Sequence, residues 1–72
     1  MKKYFINKNR QESSDGNHNE VHEEGCYWLE QARDVKDLGY HYNCKSALQV
    51  AKLNYRDSAD GCKHCCKECH TG

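Results

Sequence analysis

Four of the six cysteines in this chain, and two of its five histidines, fall within ten consecutive residues, Gly61-Cys-Lys-His-Cys-Cys-Lys-Glu-Cys-His70. Thiols at that density must converge on something, and the two stable solutions are a metal ion or a disulfide framework. Cys62-x2-Cys65 has the spacing of a zinc knuckle, which supplies two ligands to a tetrahedral ion. A second pair stands upstream, where His22 and Cys26 are separated by three residues. Imidazole nitrogen and thiolate sulfur are the donors that zinc prefers. His22, Cys26, Cys62 and Cys65 therefore make a closed set for one structural Zn2+.

The size of the chain gives such a staple its importance. Seventy-two residues allow one small domain, and 36% hydrophobic against 31% charged residues leave it a poor core. A structural zinc contributes an apparent ~10–16 kcal/mol that exists only in the folded state. The metal-free chain is accordingly expected to be unfolded or molten.

Eleven basic and eleven acidic side chains cancel. Nucleic-acid binders draw most of their affinity from phosphate neutralisation and carry a basic excess or a basic face. Here Lys2, Lys3, Lys8 and Arg10 cluster loosely, but Glu12 and Asp15 follow, which reads as a solvated strand edge. No run of apolar residues approaches a membrane span. After Lys2 and Lys3 only Tyr4, Phe5 and Ile6 precede Asn7, too few for the core of an export signal. The expectation is a cytoplasmic monomer with reduced thiols, although the even cysteine count also permits disulfides.

Along the chain, Lys3 to Ile6 has the aromatic and β-branched content of a short strand. Residues 7–20 contain no apolar side chain and read as a flexible loop turning at Asp15-Gly16. Glu20 to Glu23 can pair with the first strand as a long-looped hairpin, placing His22 near its end and Cys26 past a turn at Gly25. Trp28 and Leu29 then supply core bulk. In Asp37 to Tyr42, Leu38, Tyr40 and Tyr42 alternate with Gly39 and His41, the pattern of a third strand. Asn43 is an N-cap for a helix from Cys44 to Tyr55. Its face is Cys44, Ala47, Leu48, Ala51 and Tyr55, widened by Val50 and Leu53. Ser58-Ala-Asp-Gly61 returns the chain to the first ligand pair, with a glycine suited to the tight knuckle backbone. The expected fold is α+β: a two- to three-stranded antiparallel sheet, one main helix, a C-terminal zinc knuckle and a short tail, 70–72.

The series His22-x3-Cys26, Leu38-Gly-Tyr, Cys44-Lys-Ser-Ala47 and Ala59-Asp-Gly-Cys62-x2-Cys65 resembles two groups. One is a set of short uncharacterised bacterial proteins ending in Asp-Gly-Cys-x2-Cys-x3-Cys-His. The other, more distant, is the metal-binding domain of the Ada DNA-repair protein and related modules of nucleases and competence proteins, which bind zinc through two such ligand pairs with a helix between. The resemblance covers residues 20–66 and implies a zinc module, with nucleic acid as one class of partner. In the Ada domain the first ligand is a cysteine that accepts a methyl group. Here His22 stands in its place, and a zinc-bound imidazole is no activated thiolate, so methyl transfer is not implied.

The remaining residues leave alternatives open. Cys66-Lys-Glu-Cys69-His70 matches the attachment motif of c-type haem, but the sole methionine is Met1 and no export signal is evident. Cys66, Cys69 and His70 can instead complete a second metal site with Cys44 or His41, or Cys69 can replace Cys62 or Cys65. The favoured expectation leaves Cys66, Cys69 and His70 as free surface groups and Cys44 as a buried thiol. His18 is expected in solvent, and His64 to support a thiolate by hydrogen bonding. Four ligands leave no open position on the metal, so no catalytic residue is assigned. The chain reads as a non-enzymatic zinc module that engages a protein partner, the alternative being a nucleic-acid-binding module.

Overall fold

The computed structural model describes residues 1–8, 11–13 and 16–71. Five strands are ordered β1 (Lys2–Asn7), β2 (Gln11–Ser13), β3 (Gly16–Glu23), β4 (Val35–His41) and β5 (Ala59–Gly61). Helix α1 (Tyr27–Gln31) is a short turn after Cys26, and α2 (Cys44–Tyr55) is the main helix. The sheet runs β2-β3-β1-β4, and β5 also joins β3. The class is α+β, as the sequence implies, but the sheet is larger than the two or three strands expected and it is mixed. β5 lies parallel to β3, with Asn19, Glu20 and Val21 opposite Ala59, Asp60 and Gly61.

β1 occupies the centre because alternate side chains satisfy a buried face: Tyr4 and Ile6 are buried, while β3 and β4 pair antiparallel on either side. Most of the segment read as a loop, 7–20, is strand. Its polarity misleads because one residue replaces apolar burial with hydrogen bonding. Buried Asn19 donates through Nδ2 to the carbonyls of Asn7 and Lys8, both at 3.0 Å, and its Oδ1 accepts the Ser58 hydroxyl at 2.7 Å. A buried amide with its partners in place costs little, and this one ties β3 to the end of β1 and to the approach to β5. Of the turn expected at Asp15-Gly16, Gly16 opens β3 and pairs with Ser13, and Asp15 lies outside the described residues.

β4 departs from simple alternation. Tyr4 faces Gly39 and Phe5 faces Asp37, so Leu38 is the extra residue of a bulge. The bulge shifts the phase: Leu38 is buried, whereas Tyr40 and Tyr42, expected on the same side, are exposed. His41 links β4 to the helix, with Nε2 on the Leu38 carbonyl at 2.7 Å and Nδ1 on the Ser46 hydroxyl at 2.8 Å.

α2 has the expected bounds, and the Asn43 side chain accepts from the Lys45 amide as an N-cap. Cys44, Ala47 and Ala51 are buried, with Leu48 and Tyr55 packed beside them. Val50 and Leu53 are exposed, so the buried stripe is narrower than drawn from sequence. Small alanines let the helix lie close on the sheet. Among the described residues, no helix is long and apolar enough to cross a membrane.

The 70–72 tail is held in place up to Thr71. Buried Asp60 accepts the Thr71 amide at 2.9 Å and the Thr71 hydroxyl at 3.1 Å on one oxygen, and the His70 ring donates to the Gly61 carbonyl at 3.0 Å. Gly61 is needed for space. A Cβ there would come within 2.8 Å of the Cys66 carbonyl oxygen, the Cys69 carbonyl carbon and the Cys69 Cβ, none of which can move aside cheaply. Gly61→Ala should therefore destabilise the fold by about 1–3 kcal/mol, the usual cost of overpacking. Thermal unfolding of the variant indistinguishable from wild type would contradict this close approach.

Candidate metal centre

His22 ends the inner stretch of β3. The chain then turns at Glu24-Gly25, where the Cys26 amide donates to the Glu23 carbonyl at 3.1 Å. Gly25 has φ +86°, a left-handed conformation that glycine adopts without steric cost. That turn folds Cys26 back beneath His22, and α1 starts on the Cys26 carbonyl, which accepts from Leu29 at 3.0 Å. The second pair arrives through the parallel strand. After β5, the Cys62 amide continues the ladder onto the Val21 carbonyl at 2.9 Å, so Cys62 comes to rest beside His22.

The ligand atoms of His22, Cys26, Cys62 and Cys65 lie within 4.8 Å of one another. Nδ1 of His22 is 3.7 Å from the Cys26 sulfur and 3.9 Å from the Cys65 sulfur. A tetrahedral zinc, with Zn–S near 2.3 Å and Zn–N near 2.0–2.1 Å, requires edges of about 3.5 Å between nitrogen and sulfur and about 3.8 Å between sulfurs. The two nitrogen–sulfur separations are within a few tenths of an ångström of that edge. His22, Cys26 and Cys62 are buried and Cys65 is partly so. Backbone amides support the sulfurs: Glu23 donates to Cys65 and His64 to Cys62, each at 3.4 Å. The group is a His/Cys cluster able to hold a metal ion.

Without a metal, Cys62 and Cys65 hold their protons more tightly than a free thiol does. The hydrogen bond shared with Cys65, followed by burial, pushes the Cys62 thiol up to about 11. The Cys65 thiol is also raised: its hydrogen bond with Cys62 pulls the other way, but the Cys66 contact and burial outweigh it. A divalent ion reverses this balance by binding the thiolate form.

His64 does support a thiolate, but through its backbone. Its ring is on the surface, stacked on Trp28 at 5.4 Å between centroids. Trp28 is a partly exposed cover over the knuckle turn and not core bulk, while Leu29 packs against the core.

The other three cysteines differ from expectation. Cys66 and Cys69 are buried, and Cys69 is joined to Cys44 in a disulfide. They are not free surface thiols, because the knuckle turn folds back over Gly61 and carries both into the interior. Cys66 is a free thiol whose sulfur is 3.9 Å from that of Cys65. His41 and His70 are engaged in hydrogen bonds elsewhere. The sequence signal for the missed arrangement was the repeated spacing, Cys62-x2-Cys65 followed at once by Cys66-x2-Cys69. Comparison of the chain with protein-family models, curated proteins and solved structures finds no match.

The geometry makes two predictions. Nδ1 of His22 faces the sulfurs while Nε2 is buried without a hydrogen-bond partner, so a bound metal should take Nδ1 and leave the proton on Nε2. Long-range nitrogen–proton NMR of zinc-loaded protein should show that tautomer, and Nε2 ligation would mean the ring is turned over. The second concerns pH. A thiol raised in the fold adds stability that is complete below its ordinary value of about 8.5 and is lost as pH climbs towards the folded value, here about 11 for Cys62. Any folded metal-free population should therefore loosen between about pH 8.5 and 11, whereas metal affinity should rise with pH through neutrality as thiol protons are released. Denaturant melts and metal titrations across pH would show these opposite slopes; parallel slopes would contradict the assignment.

Proposed function

We propose that the chain is a non-enzymatic zinc-binding module whose metal is structural, held by His22, Cys26, Cys62 and Cys65. The carrying observation is the convergence of these four ligand atoms within 4.8 Å in a largely buried position, with two nitrogen–sulfur separations close to a tetrahedral edge. One imidazole and three thiols satisfy the donor preference of Zn2+ and occupy all four positions, leaving none for a substrate or an activated water. The ion would join the β3–α1 turn to the segment after β5, two parts of the chain forty residues apart in sequence, counting Cys62 from His22.

The role of such a module is to present a surface, and a protein partner suits this one better than nucleic acid. The basic residues near the N-terminus already have acidic neighbours: Lys2 with Glu23 at 3.0 Å, Lys3 with Asp37 at 2.9 Å and Lys8 with Asp34 at 3.8 Å. These exposed pairs are weak individually, but they remove the field that would gather phosphates. Tyr40, Tyr42 and Leu53 meanwhile stand exposed, the residue types enriched where proteins meet being the aromatics among them.

Protein carrying the Cys44–Cys69 disulfide should bind one zinc per chain and lose its tertiary structure on chelation. Cys26→Ser or Cys62→Ser should weaken zinc by more than the roughly 10–100-fold that loss of an outer hydrogen-bond partner costs. Native mass spectrometry and near-ultraviolet circular dichroism read both effects. Native-like folding of a Cys26→Ser, Cys62→Ser double variant in chelator would refute the structural role.

A further inference from the structure

We propose that this chain holds a second, redox-controlled metal site: reduction of the Cys44–Cys69 disulfide frees two thiolates that, with Cys66, bind a second zinc-like ion, sharing the Cys65 sulfur with the first. The proposal rests on the first site through Cys65, which belongs to both.

Four observations meet here. The chain repeats its knuckle without a gap, Cys62-x2-Cys65 then Cys66-x2-Cys69. Both repeats lie in tight backbone turns, the first spanned by a four-residue bond from the Cys66 amide to the Cys62 carbonyl at 2.8 Å and the second by a three-residue bond from the Cys69 amide to the Cys66 carbonyl at 2.9 Å. Such turns set a Cys-x2-Cys pair to face one point. Second, the sulfurs of Cys65 and Cys66 are 3.9 Å apart, close to the roughly 3.8 Å edge between two thiolates on one tetrahedral ion. The Cys65 sulfur is therefore placed to bridge two ions.

Third, the disulfide already gathers the other two donors, with Cys44 and Cys69 Cα atoms 6.3 Å apart, and Cys69 is the partner of Cys66 within the second knuckle. Cys44, Cys65 and Cys66 line one open cleft, so an ion has an approach from solvent. Lys2 and Lys67 line the same cleft together with Glu23 and Glu68, so its charged side chains balance. Fourth, Cys66 is buried yet in neither the disulfide nor the first ligand set. A second ion gives this thiol a role, and the whole complement of six cysteines, with His22, would then ligate.

The chemistry balances. A dithiol R(SH)2 reduces the disulfide: the Cys44–Cys69 bond breaks, two electrons and two protons pass to the new thiols, and the reductant leaves as its cyclic disulfide. A divalent ion then displaces the protons of Cys44, Cys66 and Cys69. In the reverse direction a hydroperoxide takes two electrons from the Cys44 and Cys69 thiolates and two protons from solvent, the disulfide forms with release of alcohol and water, and the second ion departs. The first site keeps its four ligands throughout.

The test uses the full chain and zinc alone. Protein reduced with a phosphine under anaerobic conditions should bind two zinc ions by native mass spectrometry, with all six cysteines slow to alkylate. After mild oxidation it should hold one, with Cys44 and Cys69 linked on mass mapping. Cys66→Ser, and separately the Cys44→Ala, Cys69→Ala double variant, should hold a single zinc when reduced. The second site is overturned if reduced wild type binds one zinc while Cys44 and Cys69 alkylate rapidly, or if either variant still binds two. Failure to bind any zinc would overturn the first site as well. One zinc lost specifically on Cys26→Ser, with no second, would leave the first standing alone.

Discussion

Everything in this molecule turns on the parallel pairing of β5 with β3. It is the contact that brings the C-terminal knuckle, forty residues downstream, alongside His22, through the register Val21–Gly61 and the next ladder bond from the Cys62 amide. Parallel neighbours cannot be joined by a tight turn, so the intervening chain has to travel over the sheet and return. Here it does so through α1, β4 and α2. The helix that covers the core is therefore also the crossover that delivers Cys62. Core and metal centre are consequences of one topological decision.

That decision would be weak without support. β5 has three residues, and its partner stretch of β3 is largely polar. Asn19 bonded to Asn7, Lys8 and Ser58, and Asp60 bonded to Thr71, hold the two strands at their flanks. Each such bond contributes only about 0.5–1.5 kcal/mol net. A metal held by His22, Cys26, Cys62 and Cys65 would act at the same seam with several times that energy.

How much of this was legible depended on the range over which each signal acts. The helix was readable because its cap, Asn43, and its stripe, Cys44, Ala47 and Ala51, are local and periodic. The ligand quartet could be drawn from sequence because knuckle spacing is a local property of turns, and its atoms do converge. The burial of Tyr40 and Tyr42 was misread because one bulged residue, Leu38, inverts every side chain after it. β2 and the first half of β3 were missed because their stability comes from pairing and from a buried amide, neither of which leaves an apolar alternation. Disulfide partners are set by tertiary approach, and Cys44 and Cys69 are 25 residues apart. Reading Cys66 and Cys69 as surface groups treated the knuckle as the end of the structure, when Gly61 lets the following turn fold back into it.

The same steric fact explains why two sulfur-rich groups can coexist in so small a body. A side chain at position 61 would push the Cys66–Cys69 turn outward, and with it the Cys66 sulfur away from Cys65. Without that side chain the turn closes, leaving the Cys65 and Cys66 thiols in contact beside an open cleft. Neutral thiols are weak hydrogen-bond partners, and an imidazole among them keeps one ring nitrogen unpaired. Such a neighbourhood gains little from its own internal bonds. An ion at its centre would replace several poor contacts by strong directional ones, as the disulfide already does for Cys44 and Cys69. Bonds of that kind stabilise a small interior where a larger protein would use apolar packing.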